Sequence, residues 1–291
     1  MLTPFTVLAA TLTLIPFLGA GFFPQRFQRV VGATPAWLRV LIPATLAVPY
    51  LLVTLDAGTF QWRWLAVYSL LPVAIATLLL RARQWDSEQK GTWSDFAILA
   101  VVGVAVDLRW FERAWPPHLS VFNKVLLLDA GIYGFLAIRQ LNGVGFDLRL
   151  RLRDLTVGLR ELAIYVPIAL TLGLTLGFLH WNPQPHWMFM APEALLFTFF
   201  FIAIPEELFF RGWLQNLLER RFGRLPALCL TAALFGLAHF NKRALHFNWR
   251  YVLLAAIAGI FYGRAWRQDR RVAASALTHT LVDTIWSLWL R

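Results

Sequence analysis

Apolar windows long enough to cross a bilayer recur along the whole chain, at 5–23, 37–55, 64–80, 94–108, 119–138, 157–179, 188–218, 226–240, 250–266 and 272–290. A spanning helix needs roughly 20 apolar residues, each rising ~1.5 Å, to cover the ~30 Å hydrocarbon core. Inside lipid every backbone N–H and C=O must be paired within the protein, so such windows fold as helices. The expected fold is all-α, a polytopic transmembrane helical bundle of about 8–10 spans. The count is a range because 94–108 is short for a span and 188–218 is long. With 58% hydrophobic and only 15% charged residues, an ordinary soluble domain is excluded.

The charges that do occur are clustered between the windows. One set of loops carries Arg26 and Arg29, then Arg81, Arg83 and Lys90, then Arg139, Arg149, Arg151 and Arg153, then Arg220, Arg221 and Arg224, and finally Arg264, Arg267, Arg270 and Arg271. By the positive-inside rule these loops face the cytoplasm. Lys242, Arg243 and Arg250 run against that scheme. The net charge of +11 therefore points to anionic phospholipid as a partner and not to nucleic acid. No basic residue precedes the first window, so it is expected to remain as a span with its N-terminus outside. The expected location is the inner (cell) membrane of a bacterium, with multiple passes. Cys229 is the only cysteine, which rules out an intrachain disulfide. Residues 146–153 alternate apolar and charged side chains, a period of two. Between spans, such a segment is expected to lie along the inner membrane surface with its arginines toward phospholipid.

Charges inside the late windows are the exception, and an ionisable group at a helix centre costs roughly 2.5–3.5 kcal/mol on insertion scales. Glu206, Glu207 and Arg211 share one window, Phe235 and His239 the next but one in function, and His279 and Asp283 the last. Glu193 lies near the outer end of its window, and Lys124 and Asp129 occur earlier. Residues four apart lie on one helix face, so Glu207 meets Arg211, and His279 and Asp283 aim at one point. Glu206 is turned away from Arg211 and left for other helices. Phe235 lies under His239 and would fix its ring. Pro205 removes a backbone donor and frees the carbonyl of Phe201, which kinks the helix beside the carboxylates. Asp129 either pairs with Lys124 or marks a second polar pocket. His118, His180, His186 and His246 fall in connectors and take no assigned role.

The pattern Glu206-Glu207-x-x-x-Arg211, Phe235-x-x-x-His239, His279-x-x-x-Asp283 resembles the CPBP family of intramembrane proteases. That family includes the type II CAAX prenyl proteases and the bacteriocin-immunity Abi-like proteins. The resemblance covers roughly 153–290, so the chain divides into N-terminal helices without a motif (1–152) and a catalytic helical core (153–291) within one continuous membrane domain. It implies an endopeptidase that hydrolyses a membrane-associated protein or peptide. Glu206 would be the general base, His239 would assist the water, and His279 and Asp283 would complete the site. Glu207, Arg211 and Phe235 would support it. The family position of Asp283 is often Asn; an ionised Asp accepts but does not donate, so it would orient His279 or bind a cation. Two histidines with carboxylates also form a donor set for Zn2+, with Glu206, His239, His279 and Asp283 as candidate ligands. The prenyl-protease branch implies that no metal is obligatory. Two other classes fit the same residues: an ion- or proton-coupled transporter, and a non-catalytic immunity or scaffold protein.

Overall fold

A computed structural model describes residues 3–242 and 246–290, so Arg243 lies outside the described residues. The chain is helical throughout, in two compact units, Met1–Asn142 and Gly143–Arg291.

The first unit contains α1 (Pro4–Phe22), α2 (Pro24–Gly32), α3 (Ala36–Asp56), α4 (Trp62–Trp85), α5 (Trp93–Asp107) and α6 (Val121–Ile138). Local chemistry sets the ends. Thr3 caps α1 by accepting the Thr6 N–H at 3.1 Å, with Pro4 at the first helical position. Thr92 and Asp95 form a capping box on α5. The core holds stacked Tyr50 and Tyr68, with Trp115 set edge-on to both. Trp115 Nε1 donates to the Tyr68 hydroxyl at 2.7 Å, and that hydroxyl donates to Asn123 at 3.0 Å. Arg139 is fully buried between Asp95 (3.0 Å) and Asp86 (2.5 Å). Lys124 is exposed while Asp129 is buried, so they do not pair. Both Asp129 oxygens lack a hydrogen-bond partner among the described residues.

The second unit contains α7 (Leu152–Thr175), α8 (Trp187–Phe222), α9 (Arg224–Leu237), α10 (Trp249–Asp269) and α11 (Val272–Trp289). Helices α9 and α10 approach along small residues. A Cβ on Gly236 would lie 2.5 Å from the Val252 carbonyl oxygen, and one on Gly259 would lie 3.1 Å from Ala232 Cα. Such close approach lets dispersion act without an aqueous hydrophobic drive. Gly158 of α7 likewise meets α11, and Thr278 donates to its carbonyl at 3.2 Å.

Among the described residues, six helices are long and apolar enough to cross a membrane: α1, α3, α4, α6, α7 and α8. The chain is an integral, multi-pass membrane protein. Six is fewer than the eight to ten expected from the windows. Helix α9 is too short, and α10 and α11 are diluted by arginines and by Ser, Thr, His and Asp, among them candidate site residues.

The alternating segment is extended, with no strand partner. Val144, Phe146 and Leu148 are buried, whereas Leu150 and Leu152 are exposed. Trp266 Nε1 donates to the Val144 carbonyl at 3.1 Å and the Val272 N–H to that of Gly145 at 2.9 Å. Gly145 is required here, because its φ is +75° and a Cβ would overlap the Arg270 carbonyl. Arg149, Arg151 and Arg153 are each more than half exposed, and each is also ion-paired, with Asp147, Asp147 and Asp269. Burial alone would push the Asp147 carboxyl up, but hydrogen bonds from Arg149 and Arg271 hold it below the usual range.

Candidate active site

Helix α8 changes its winding around the two glutamates. The stretches Phe199–Ala203 and Leu208–Gln215 are π-helical, and the α-helical turn Ile204–Glu207 sits between them. Pro205 has no N–H to give to the preceding turn, so the helix widens there. This localised widening stands where the sequence suggested a kink.

Glu207 is fully buried and lies at the centre of the polar cluster. Its Oε2 is 3.1 Å from Arg211 Nε and accepts a hydrogen bond from Ser275 Oγ; its Oε1 is 2.9 Å from His279 Nδ1. The expected Glu207–Arg211 pair is therefore present, but the same carboxylate also grips the histidine of α11. Arg211 is further held by the Gly259 carbonyl at 3.3 Å and lies over the Phe235 ring at 4.8 Å.

His279 Nδ1–H donates to Glu207, which directs Nε2 to the other side of the ring. There it stands 3.4 Å from Asp283 Oδ2 and 4.0 Å from Glu206 Oε2. Tyr262 stacks on the imidazole at 4.6 Å and 13°, and Phe235 meets it edge-on at 5.7 Å. The ring is thus fixed in orientation by three neighbours and in tautomer by one. Glu206 and Asp283 are about 30% exposed, at 29% and 31%, in contrast to fully buried Glu207. Lys242 Nζ is 4.0 Å from Glu206 Oε1.

His239 follows α9 and is buried. Its Nδ1 donates to the Phe235 carbonyl at 2.8 Å, leaving Nε2 as the acceptor. The Phe235 ring lies 5.0 Å from it and Tyr251 lies 4.7 Å away. Phe235 thus fixes His239 through its carbonyl as well as its ring.

A cavity of about 270 Å³ reaches His239, His279 and Asp283. The expectation of a polar cavity that also takes in Glu206 is not met. The walls are largely apolar and aromatic, Glu206 does not line them, and Tyr251, Phe178 and Trp286 stack along one side. The connector 180–186 is tied to the end of α11, where Asn182 and Gln184 N–H groups donate to the Trp289 and Leu288 carbonyls at 2.8 Å. Glu193 is exposed on α8 and stands apart from this cluster.

Among the described residues, no three His, Cys, Asp or Glu side chains are arranged to hold a metal ion. The physical reason is that His279 Nδ1 is occupied by Glu207 and its Nε2 is shared between Asp283 and Glu206. The proposed Zn2+ set does not fit this arrangement, and no step below is routed through a metal.

Sequence reasoning did not single out Ser275, Tyr262, Tyr251 or Lys242. Ser275 was detectable, since it lies four residues before His279 on the same face. Tyr262 sits on a helix with no motif and carried no signal.

No curated protein and no solved structure matches this chain. Residues 188–285 match the family model described as type II CAAX prenyl endopeptidase Rce1-like. The match runs through the π-wound helix, the histidine turn and the His279–Asp283 face, the segments that meet around Glu207. Through residues 188–285 the chain belongs to the Rce1-like family of type II CAAX prenyl endopeptidases.

Proposed function

We propose that the protein is a CAAX-type intramembrane endopeptidase in which Glu206 is the general base. The observation that carries this reading is the approach of Glu206 and Asp283, both partly exposed, to the same nitrogen of His279. A water held between Glu206 and the histidine nitrogens has an acceptor for its proton and partners that aim its lone pair. Glu206 takes that proton as the water oxygen attacks the scissile carbonyl. The C–N bond then breaks and the proton passes to the leaving amine, giving a free carboxylate and an amine. Asp283 orients His279 through Nε2. Glu207, held by Arg211 and Ser275, orients it through Nδ1.

The apolar cavity beside the histidines favours a substrate that places a large apolar group next to the scissile bond. The family's substrate class makes a peptide with a prenylated C-terminal cysteine the first to test, beside an unmodified apolar peptide. Purified protein in lipid nanodiscs is expected to cleave one of them, and Glu206→Gln to abolish cleavage while the thermal unfolding curve is kept. Wild-type cleavage by Glu206→Gln would remove Glu206 from the role of base.

A further inference from the structure

The unit Met1–Asn142 contains a second cavity, of about 380 Å³, walled by polar side chains that include Arg83, Asp86, Ser87, Gln89, Arg139 and Gln140. Most of the charge there is already matched. Arg139 is held by Asp95 and Asp86, and Asp86 also accepts the Lys90 and Gly91 N–H groups at 3.0 and 2.8 Å. Burial works against ionised Asp86, but those N–H groups and Arg139 outweigh it and keep its carboxyl below the usual range. No described carboxylate pairs with Arg83, which brings one unmatched positive charge to the wall.

The backbone around this cavity is unusual. Gln89 and Gln140 have left-handed φ values of 55° and 51°, two of the five non-glycine residues with positive φ among those described. They are joined across the wall by a 3.0 Å hydrogen bond from Gln89 Nε2 to the Gln140 carbonyl. Side chains carry a steric cost in this region, and it persists only where the surroundings enforce it. The cavity also sits at the end of α4, among the basic loops assigned to the cytoplasmic side. That is the depth at which lipid phosphates lie.

We propose that this cavity is a binding site for a phosphate-bearing anion presented by an anionic lipid headgroup. Arg83 supplies the charge, the Ser87 hydroxyl and Gln140 amide supply further donors, and the Arg139 clamp keeps the floor rigid.

The test is lipid binding to the full chain in detergent, read by native mass spectrometry. The probes are short-chain phosphatidylglycerol, short-chain phosphatidylcholine and inorganic phosphate. Phosphatidylglycerol is expected to bind more tightly than phosphatidylcholine, and Arg83→Gln to weaken it roughly tenfold, the loss of one charge-assisted contact. Arg81→Gln, two residues away and exposed, is expected to leave binding unchanged. Gln140→Gly relieves the left-handed strain, so it is expected to unfold no more easily than wild type while binding phosphatidylglycerol more weakly. Equal weakening by Arg81→Gln and Arg83→Gln, or none by either, overturns the site. Tight inorganic phosphate with no preference between the lipids overturns the lipid source.

Discussion

Each unit of this protein buries an arginine, and the two are used differently. Arg139 sits between Asp86 and Asp95, and its charge is cancelled within that trio. Arg211 meets Glu207, but Glu207 is shared with His279, and His279 leads on to Glu206 and Asp283. The first arrangement closes on itself. The second ends in two carboxylates that are partly exposed, so a buried support is connected to a place where a reactant can arrive. A buried ion pair alone is weak evidence of function, and continuation to an accessible end is what distinguishes the second.

The comparison is broken most sharply by Glu206→Gln. It is expected to lower the cleavage rate by about 10²–10⁴-fold, the span of general-base catalysis, with little change in unfolding temperature. The converse holds in the other unit. Arg139→Ala leaves two carboxylates buried without their cation and is expected to cost about 3–5 kcal/mol of stability. Chemical denaturation in detergent would measure this, and specific activity per folded molecule should hold. If Arg139→Ala instead lowers activity at full stability, the two arginines are not as different as their surroundings suggest.

Smaller changes sharpen the contrast. Asp283→Ala removes one partner of His279 Nε2 and is expected to reduce kcat/KM by roughly tenfold, with Asp283→Asn falling between it and wild type. Ser275→Ala deletes one of three supports of Glu207 and is expected to cost about 1 kcal/mol in stability, seen as a small shift in the unfolding midpoint. Loss of activity by Ser275→Ala as large as that of Asp283→Ala would move Ser275 from support into the reaction path.

Much of this was legible in the sequence, because lipid forces helices and helices have a fixed period. Four-residue spacing foretold the Glu207–Arg211 and His279–Asp283 pairs, and the alternation at 144–148 marks three buried apolar side chains. The spacing rule could not decide which glutamate meets which histidine, because that depends on how α8 and α11 are rotated against one another. It gave the histidines to Glu206, whereas the direct bond to His279 belongs to Glu207. It also offered Lys124 as a partner for Asp129, but Lys124 points outward and the carboxylate is buried. The cavity walls were illegible for a similar reason. Phe178, Tyr251 and Trp286 come from separate segments, and only packing brings them to one surface.

The two π-wound stretches of α8 have a consequence for rotational phase. A π segment carries extra residues in its turns, and removing one residue lets the backbone relax toward ordinary α winding. Each residue turns an α-helix by about 100°, so one deletion within 208–215 would swing everything after it by more than a quarter turn. Deleting Phe209 would thus carry Arg211 away from Glu207 while every polar side chain of the cluster kept its identity. The integrity of this site is therefore a matter of angular register as much as of which residues are present.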